Sequence, residues 1–240
     1  MERRTFLKLA TGFIVAGTFV QKGYATVINS RVPWQANATK TDFYPVIEPG
    51  KLVFFTQAEA DVVGAIADCL IPSDDLSIGA KEAGCVTFID HQLAGAFGQG
   101  KKQYRLGPFV KGTPEQGPQY EHAPAERYKL GLKALDDYCQ KTDGKSFDKL
   151  SNERQIAIIS DMEKGSLPLG NNIEPKAFFE LLLQNVREGY LADPIYGGNK
   201  GMVSWKMVGF PGARYDYRDF MDRKGEDWKI APISLVMRYN

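Results

Sequence analysis

Apolar side chains recur every three or four residues in five segments of the chain, a spacing that is typical of amphipathic helices. The first segment begins at Thr56, which can form a capping box with Glu59, and Pro72 stops it. Its inward face is expected to contain Val62, Val63, Ile66 and Leu70. The pattern therefore predicts a helix that begins at Thr56 and ends before Pro72.

A second helix is predicted over residues 81–93, with Val86, Ile89 and Leu93 facing inward. The stretch 95–123 that follows is rich in Gly, Pro, Gln and Lys and has no helical period. Loops of this length inside a compact domain are usually functional or bound to a partner. We therefore expect a long irregular excursion between the second and third helices.

Three further helices are indicated by their first residues and by apolar stripes. Pro124 suits the first turn of the third, Ser151 precedes a short fourth over 154–162, and Pro175 begins a fifth that ends near Gly189. Each would pack through one apolar face. The residues expected to face inward are Tyr128, Leu132, Leu135 and Cys139, then Ile156 and Ile159, then Phe178, Phe179, Leu182, Leu183 and Val186.

The residues before the first helix lack a helical period. Prolines and aromatic residues alternate there, as Pro33, Trp34, Phe43, Tyr44, Pro45 and Pro49. Strand-like alternation is scarce elsewhere, and 240 residues suit one sizeable core. The predicted fold is mainly α: a single helical domain of about five helices over 56–240, with long irregular loops and an extended N-terminal arm at 26–55.

The first 25 residues have the features of an export signal. A basic start precedes an apolar run of 12 residues, 9–20, which is shorter than the ~20 that a membrane-spanning helix needs. The residues that match the R-R-x-F-L-K core of a twin-arginine signal are Arg3, Arg4, Phe6, Leu7 and Lys8. That route carries proteins that fold before export, often with a cofactor in the protein or in a bound partner; a general secretory signal is the alternative.

The charge balance argues against nucleic acid as a partner. The net charge is +1, but the first 25 residues carry a surplus of three positive charges, so the rest of the chain has a net charge of −2. Phosphate backbones are bound by clustered Lys and Arg. A slightly acidic body therefore gives no reason to expect nucleic-acid binding.

Candidate catalytic residues are few. His91 and His122 are the two histidines, no Ser-His-Asp arrangement can be nominated, and a G-x-S-x-G elbow is absent, which leaves hydrolase chemistry without support. His91 follows Asp90 on the predicted second helix, where a lone histidine is usually structural. The acidic candidates are the pairs Asp74-Asp75 and Asp136-Asp137, together with Asp193. Adjacent carboxylates on a helix point apart and usually form a solvated face.

The three cysteines, Cys69, Cys85 and Cys139, form no C-x-x-C or C-x-x-C-H motif. This excludes a c-type haem and gives no zinc or iron–sulfur signature. In an oxidising compartment, three cysteines allow one disulfide among themselves and leave one over. The remaining thiol would be either buried and inert or bridged to a partner chain.

Residues 193–212, DPIYGGNKGMVSWKMVGFPG, contain five glycines and could form a phosphate cradle, a plain loop or a surface for another protein. A dinucleotide site needs a strand, then G-x-G-x-x-G, then a helix. Gly98 and Gly100 lack a third glycine, and the glycines of 193–212 follow a helix and lead into no obvious helix. The chain therefore shows no cofactor site, and we interpret the glycines as turns that hold Tyr196, Trp205 and Phe210 in an irregular surface.

Four segments of the chain are distinctive: AIADCLIPSDD at 65–75, GAKEAGCVTFIDHQLAG at 79–95, YRLGPF at 104–109 and EGYLADPIYGGNKGMVSWKMVGFPG at 188–212. The last is the most specific, because it combines DP-x-YGGN with W-K-x-x-GFPG. Together they resemble the small subunit, also called subunit 3 or gamma, of the membrane-bound gluconate 2-dehydrogenase family, which is shared with flavin-dependent fructose, sorbitol and glucose dehydrogenases. The resemblance covers most of the chain beyond the signal.

The resemblance implies a periplasmic complex at the outer face of the cytoplasmic membrane. In it, a large subunit with FAD oxidises a sugar or sugar acid, and a multihaem cytochrome c subunit with haem c takes the electrons. The small subunit would be non-catalytic, with no cofactor and no metal of its own. It would escort the large subunit through the twin-arginine translocase and stabilise it.

On this interpretation, Trp34, Tyr196, Trp205 and Phe210 are expected at the partner interface. The alternatives are a free-standing periplasmic enzyme with Asp74, Asp75, His91 and Asp193 around a pocket or metal, and a sugar-binding module. A protein of either alternative kind would be active or would bind its ligand without another subunit.

Overall fold

The computed structural model describes residues 47, 50–103, 107–110, 112–116, 120–170, 173–214, 216–226 and 230–235. This part of the chain is mainly helical, as predicted, and contains no β-strand beyond one isolated bridge. Its six α-helices are α1 (Gln57–Leu70), α2 (Cys85–Ala94), α3 (Pro124–Asp143), α4 (Asn152–Lys164), α5 (Pro175–Leu191) and α6 (Val203–Val208). The export signal and Trp34 lie outside the described residues, and no described helix is long and apolar enough to cross a membrane.

The start of α1 is the capping box that its sequence predicts. The Glu59 N–H donates to Thr56 Oγ1 at 3.3 Å, and the Thr56 N–H donates to Glu59 Oε2 at 2.7 Å. The same Glu59 oxygen accepts from Lys129 Nζ at 2.6 Å, and these two bonds keep the pKa of Glu59 below its usual value despite the opposing effect of partial burial. The cap therefore also joins α1 to α3.

The second helix begins four residues later than predicted, at Cys85. Residues 81–84 form a turn, and Gly84, at φ 88°, is the N-cap of α2. A left-handed backbone cannot continue into a right-handed helix, so the helix starts after this glycine. Periodicity alone does not show this boundary, because Lys81 and Glu82 are good helix formers.

The core forms where α5 packs against α2 and α4, and where α1 packs against α2 and α4. Its largest fully buried side chains are Tyr128, Phe147, Ile66, Ile89, Leu93, Leu135, Ile158, Met162 and Leu182. Ile159 is buried on α4 as predicted, together with Ile158 and Met162, and α4 begins at Asn152, two residues before the predicted Arg154. The prediction that Ile156 faces inward is wrong: it is 48% exposed, because it lies outside the stripe through which α4 packs against α1 and α5.

The last residues of the predicted arm, 50–55, lie against α2 and are held by a buried carboxylate. Asp90 is fully buried, and its Oδ1 accepts the backbone N–H groups of Phe55 at 2.7 Å and Phe54 at 3.0 Å. Its Oδ2 accepts the N–H of Val53 at 2.7 Å. Three donors from an irregular segment are thus satisfied by one side chain. Asp90 therefore positions the entry of the chain into the helical domain.

Candidate functional site

Residues 193–212, which we call the glycine-rich segment, contain two short 3₁₀ turns and the helix α6 (Val203–Val208). The expectation that its glycines lead into no helix is therefore wrong. The sequence showed no helical repeat of apolar residues here, because six residues make fewer than two turns. Gly209, at φ 70°, ends the helix, and its N–H bonds back to the carbonyls of Lys206 and Trp205.

The glycines of this segment allow it to lie directly on the backbone of two helices. A Cβ on Gly198 would come within 2.1 Å of the Gly189 carbonyl oxygen, near the end of α5. A Cβ on Gly84, at the start of α2, would come within 2.7 Å of the Gly197 carbonyl oxygen. Gly84 and Gly198 thus serve close packing within the chain.

Asn199 stabilises the turn that follows these glycines. It has a left-handed backbone, at φ 46°, and is completely buried. Its Nδ2 donates to the Ala192 carbonyl at 2.9 Å, and its Oδ1 accepts from the N–H and the Oγ of Ser204 at 3.0 and 2.9 Å. Asparagine tolerates this backbone better than other non-glycine residues. Sequence reasoning missed Asn199, although an Asn next to two glycines is a recognisable turn signal.

Asp193 anchors the C-terminal part of the described chain. Its Oδ1 accepts from the Ile195 N–H at 3.0 Å and from Ser234 Oγ at 2.6 Å. Its Oδ2 accepts from the Leu235 N–H at 2.9 Å. Both carboxylate oxygens are therefore used to join the start of the glycine-rich segment to residues 234–235.

The other candidates for catalysis have similar local roles. Asp74 Oδ1 accepts the N–H groups of Leu76 and Ser77, both at 2.9 Å, within its own turn. His91 Nε2 lies 3.3 Å from the Lys51 carbonyl oxygen, and Asp75 is exposed. Within the described ranges there is no group of three or more His, Cys, Asp or Glu side chains that could hold a metal ion.

All three cysteines are free thiols in the structure, so the disulfide that Cys69, Cys85 and Cys139 would allow is not formed there. Burial raises the pKa of the Cys85 thiol to about 12 and that of Cys139 to about 11. Cys69 is half-buried, and its pKa is also raised by burial and by the nearby Asp68. High pKa values keep these groups in the unreactive thiol form.

An open cleft of about 440 Å³ lies between α1, the start of α2 and the glycine-rich segment. Glycines line much of it, and its charged side chains carry both signs, with Lys81 and Lys200 against Asp61 and Glu82. No single class of ligand matches such a balanced lining. The cleft therefore gives no particular support to the sugar-binding alternative.

Trp205 is almost completely buried, at 6% exposure, in the middle of the glycine-rich segment. Its Nε1 donates to the Leu191 carbonyl at the end of α5, at 2.8 Å. The ring of Phe210 meets the indole edge to face, with the centroids 5.1 Å apart. The Trp205 side chain thus packs against the helical domain and not into solvent. Its contribution to a partner interface stays a prediction and would be indirect.

We expect Trp205→Phe to lower the free energy of unfolding by about 1–2 kcal/mol, because the hydrogen bond to Leu191 is lost. Trp205→Ala should cost about 3–5 kcal/mol, because it also leaves a cavity. Urea unfolding measures both values. Tyr196→Phe is the matched control, since Tyr196 is exposed, and should change stability by less than about 0.5 kcal/mol. Equal stability of Trp205→Phe and wild type would show that the indole bond contributes nothing.

Four large apolar side chains at the end of α5, at the end of α6 and at Phe210 are exposed, and we call them the apolar patch. They are Leu191, Met207, Val208 and Phe210, with exposures of 48, 44, 59 and 45%. Tyr196 and Leu235, at 47 and 58%, belong to the two segments that Asp193 joins. The predicted interface residues Tyr196 and Phe210 are thus accessible to a partner, and Trp34 lies outside the described residues.

Comparison with known protein families gives a match over the part of the chain that contains these packed segments. The family model described as gluconate 2-dehydrogenase subunit 3 matches residues 57–212, from the first residue of α1 to the end of the glycine-rich segment. No curated protein and no solved structure gives a significant match. The family match extends over well over half of the chain and includes all six helices. The chain belongs to the gluconate 2-dehydrogenase subunit 3 family.

Proposed function

We propose that this chain is the non-catalytic small subunit of a periplasmic, membrane-associated dehydrogenase of sugars or sugar acids. It escorts the large subunit, which holds FAD, through twin-arginine export and stabilises it afterwards. Haem c belongs to a cytochrome subunit of the same complex. The observation that carries the proposal is the match to a dehydrogenase subunit family over 57–212.

The hydrogen bonds that the carboxylates accept support a structural role over a catalytic one. Asp90, Asp193 and Asp74 each accept backbone N–H groups of their own chain. A carboxylate whose lone pairs are taken by backbone amides is poorly placed to accept a proton from a substrate. Of the acidic side chains nominated for a free-standing enzyme, Asp74 and Asp193 are thus engaged in holding loops, whereas Asp75 is exposed.

Export is the part of the proposal that rests on the sequence alone. The twin-arginine core, Arg3, Arg4, Phe6, Leu7 and Lys8, lies outside the described residues. A route for folded proteins suits a complex whose FAD must be bound in the cytoplasm. One signal on the small subunit would then serve both chains.

We expect the double change Arg3→Lys and Arg4→Lys to leave both the small subunit and the flavoprotein in the cytoplasm. The charge is kept, but the paired guanidinium groups that the translocase recognises are lost. Cell fractionation with antibodies to both chains, and dehydrogenase activity of intact cells, measure the effect; we expect periplasmic activity to fall at least tenfold. Arg31→Lys, the same exchange beyond the signal, is the control and should not change export.

Deletion of the small subunit tests the escort role itself. A large subunit that reaches the periplasm at normal level and activity without this chain would overturn the proposal. So would a purified small subunit that oxidises a sugar without the flavoprotein.

A further inference from the structure

We infer that the apolar patch, Leu191, Met207, Val208 and Phe210, is the central contact with the FAD-containing large subunit. We further infer that the large subunit meets it with an apolar surface surrounded by carboxylates. The inference rests on the proposed function, because it requires a large subunit as partner. It adds which surface is used and what the partner must present there.

The four patch residues are linked through the chain and through Trp205. The Trp205 Nε1 bonds to the Leu191 carbonyl, and the Trp205 ring packs against Phe210. Met207 and Val208 are the last two residues of α6, which contains Trp205. Single exposed apolar residues are normal on a monomer, whereas a contiguous group surrounded by polar residues indicates a binding surface.

The patch is also held in one shape before binding. Trp205 and Asn199 are buried and hydrogen-bonded, and the Phe210 N–H bonds to the Trp205 carbonyl at 2.8 Å. A partner would therefore not have to order this loop on binding. Preorganised apolar side chains that surround a buried aromatic ring are typical of the central residues of protein interfaces.

The charges beside the patch indicate the chemistry of the partner. Lys206 precedes Met207, and Arg187 lies one helical turn before Leu191 on α5; both are exposed. Neither forms an ion pair with another described residue, whereas neighbouring Glu188 accepts from Gln184 Nε2 at 2.8 Å. With Lys206 and Arg187 against Glu188, the edge of the apolar surface has a net charge of +1, which favours a partner with carboxylates at the corresponding edge.

The same charges argue against a second copy of this chain as the occupant. In a two-fold contact the same patch meets itself, so the net positive edge of one copy would face the net positive edge of the other. Like charges at an interface are unfavourable unless a counter-charge lies between them. A different chain with acidic groups avoids this cost, and membership of a family of dehydrogenase subunits provides such a chain.

The test is the affinity of variant small subunits for the flavoprotein that co-purifies with the wild-type chain. Val208→Asp places a charge in the patch, and we expect the dissociation constant to rise at least about tenfold. Met207→Asp is the second variant, to be used if the first does not fold, as judged by circular dichroism. Ile156→Asp is the matched control, because Ile156 is 48% exposed on α4, away from the patch, and should stay within about threefold of wild type.

A charge reversal at Lys206 tests whether the partner presents carboxylates at the edge of the apolar patch. Lys206→Glu should lower the affinity and weaken its salt dependence, whereas Lys141→Glu, an exposed lysine at the end of α3, should change neither. Normal affinity of a folded Val208→Asp or Met207→Asp variant would overturn the inference. Self-association or binding to anionic vesicles that is lost in these variants, with flavoprotein binding intact, would overturn it too. If no flavoprotein binds the wild-type chain, it is the proposed function that fails.

Discussion

Gly198→Ala is expected to lower the free energy of unfolding by about 4 kcal/mol or more. The new Cβ would lie 2.1 Å from the Gly189 carbonyl oxygen. The backbone fixes the position of the Cβ, and the oxygen is a backbone atom, so neither can rotate away as the end of a long side chain can. To relieve the overlap, the segment would have to move off α5. Thermal unfolding should show a drop of roughly 10 °C, since about 2–4 °C corresponds to each kcal/mol in a domain of this size.

Alanine variants of two other glycines serve as controls, because they show the effect of an added methyl group where no clash occurs. Gly170 has open space for a Cβ and no left-handed backbone, so Gly170→Ala should leave stability unchanged or raise it slightly. Gly201 also has open space but lies at φ 65°, so Gly201→Ala should cost about 1–2 kcal/mol from backbone strain alone. A Gly198→Ala variant as stable as Gly201→Ala would contradict the close approach of the segment to α5.

Asp90→Ala is also expected to have a large effect, a loss of at least about 3 kcal/mol. The carboxylate is fully buried and accepts the N–H groups of Val53, Phe54 and Phe55. Removing it leaves the buried Phe55 N–H and the part-buried N–H groups of Val53 and Phe54 without this partner, and an unsatisfied buried donor costs about 1–3 kcal/mol. Urea unfolding measures the loss, and Asp75→Asn, at an exposed carboxylate, should stay within about 0.5 kcal/mol of wild type.

Hydrogen exchange gives a more specific test of the same contact. In Asp90→Ala the amides of 53–55 should exchange faster than in the wild type by at least tenfold, while amides in the middle of α5 change only as much as global stability does. Asp90→Asn should be intermediate, because its amide keeps one acceptor oxygen but turns a donor toward the backbone N–H groups. Unchanged exchange at 53–55 in Asp90→Ala would show that other contacts hold this segment.

Features encoded by neighbouring residues could be predicted from the sequence. The capping box of Thr56 and Glu59 and the helix starts at Pro124 and Pro175 are all confirmed. These signals act within one or two turns, where the side chain and the backbone that it stabilises are close along the chain. The family could be recognised from sequence for a similar reason, since its markers are short and dense in the glycine-rich segment.

Features that depend on contacts between distant segments could not be predicted. The turn before α2, the outward position of Ile156 and the short helix α6 depend on which surfaces meet. The same holds for the candidate site, where the sequence indicated Tyr196, Trp205 and Phe210 but could not separate the buried indole from the exposed rings. Aromatic residues in an irregular segment have no period from which burial can be inferred.

By itself, the sequence determined a mainly helical chain of the gluconate 2-dehydrogenase subunit 3 family, because periodicity, caps and short motifs are local properties. Only the tertiary structure decided what the glycines and carboxylates do. Gly198 meets Gly189, Asp90 meets the amides of 53–55, and Asp193 meets Ser234, across separations in sequence that no local pattern reports. The physical reason is that close backbone approach and the satisfaction of buried donors are properties of packed segments, and they exist only once the chain has folded.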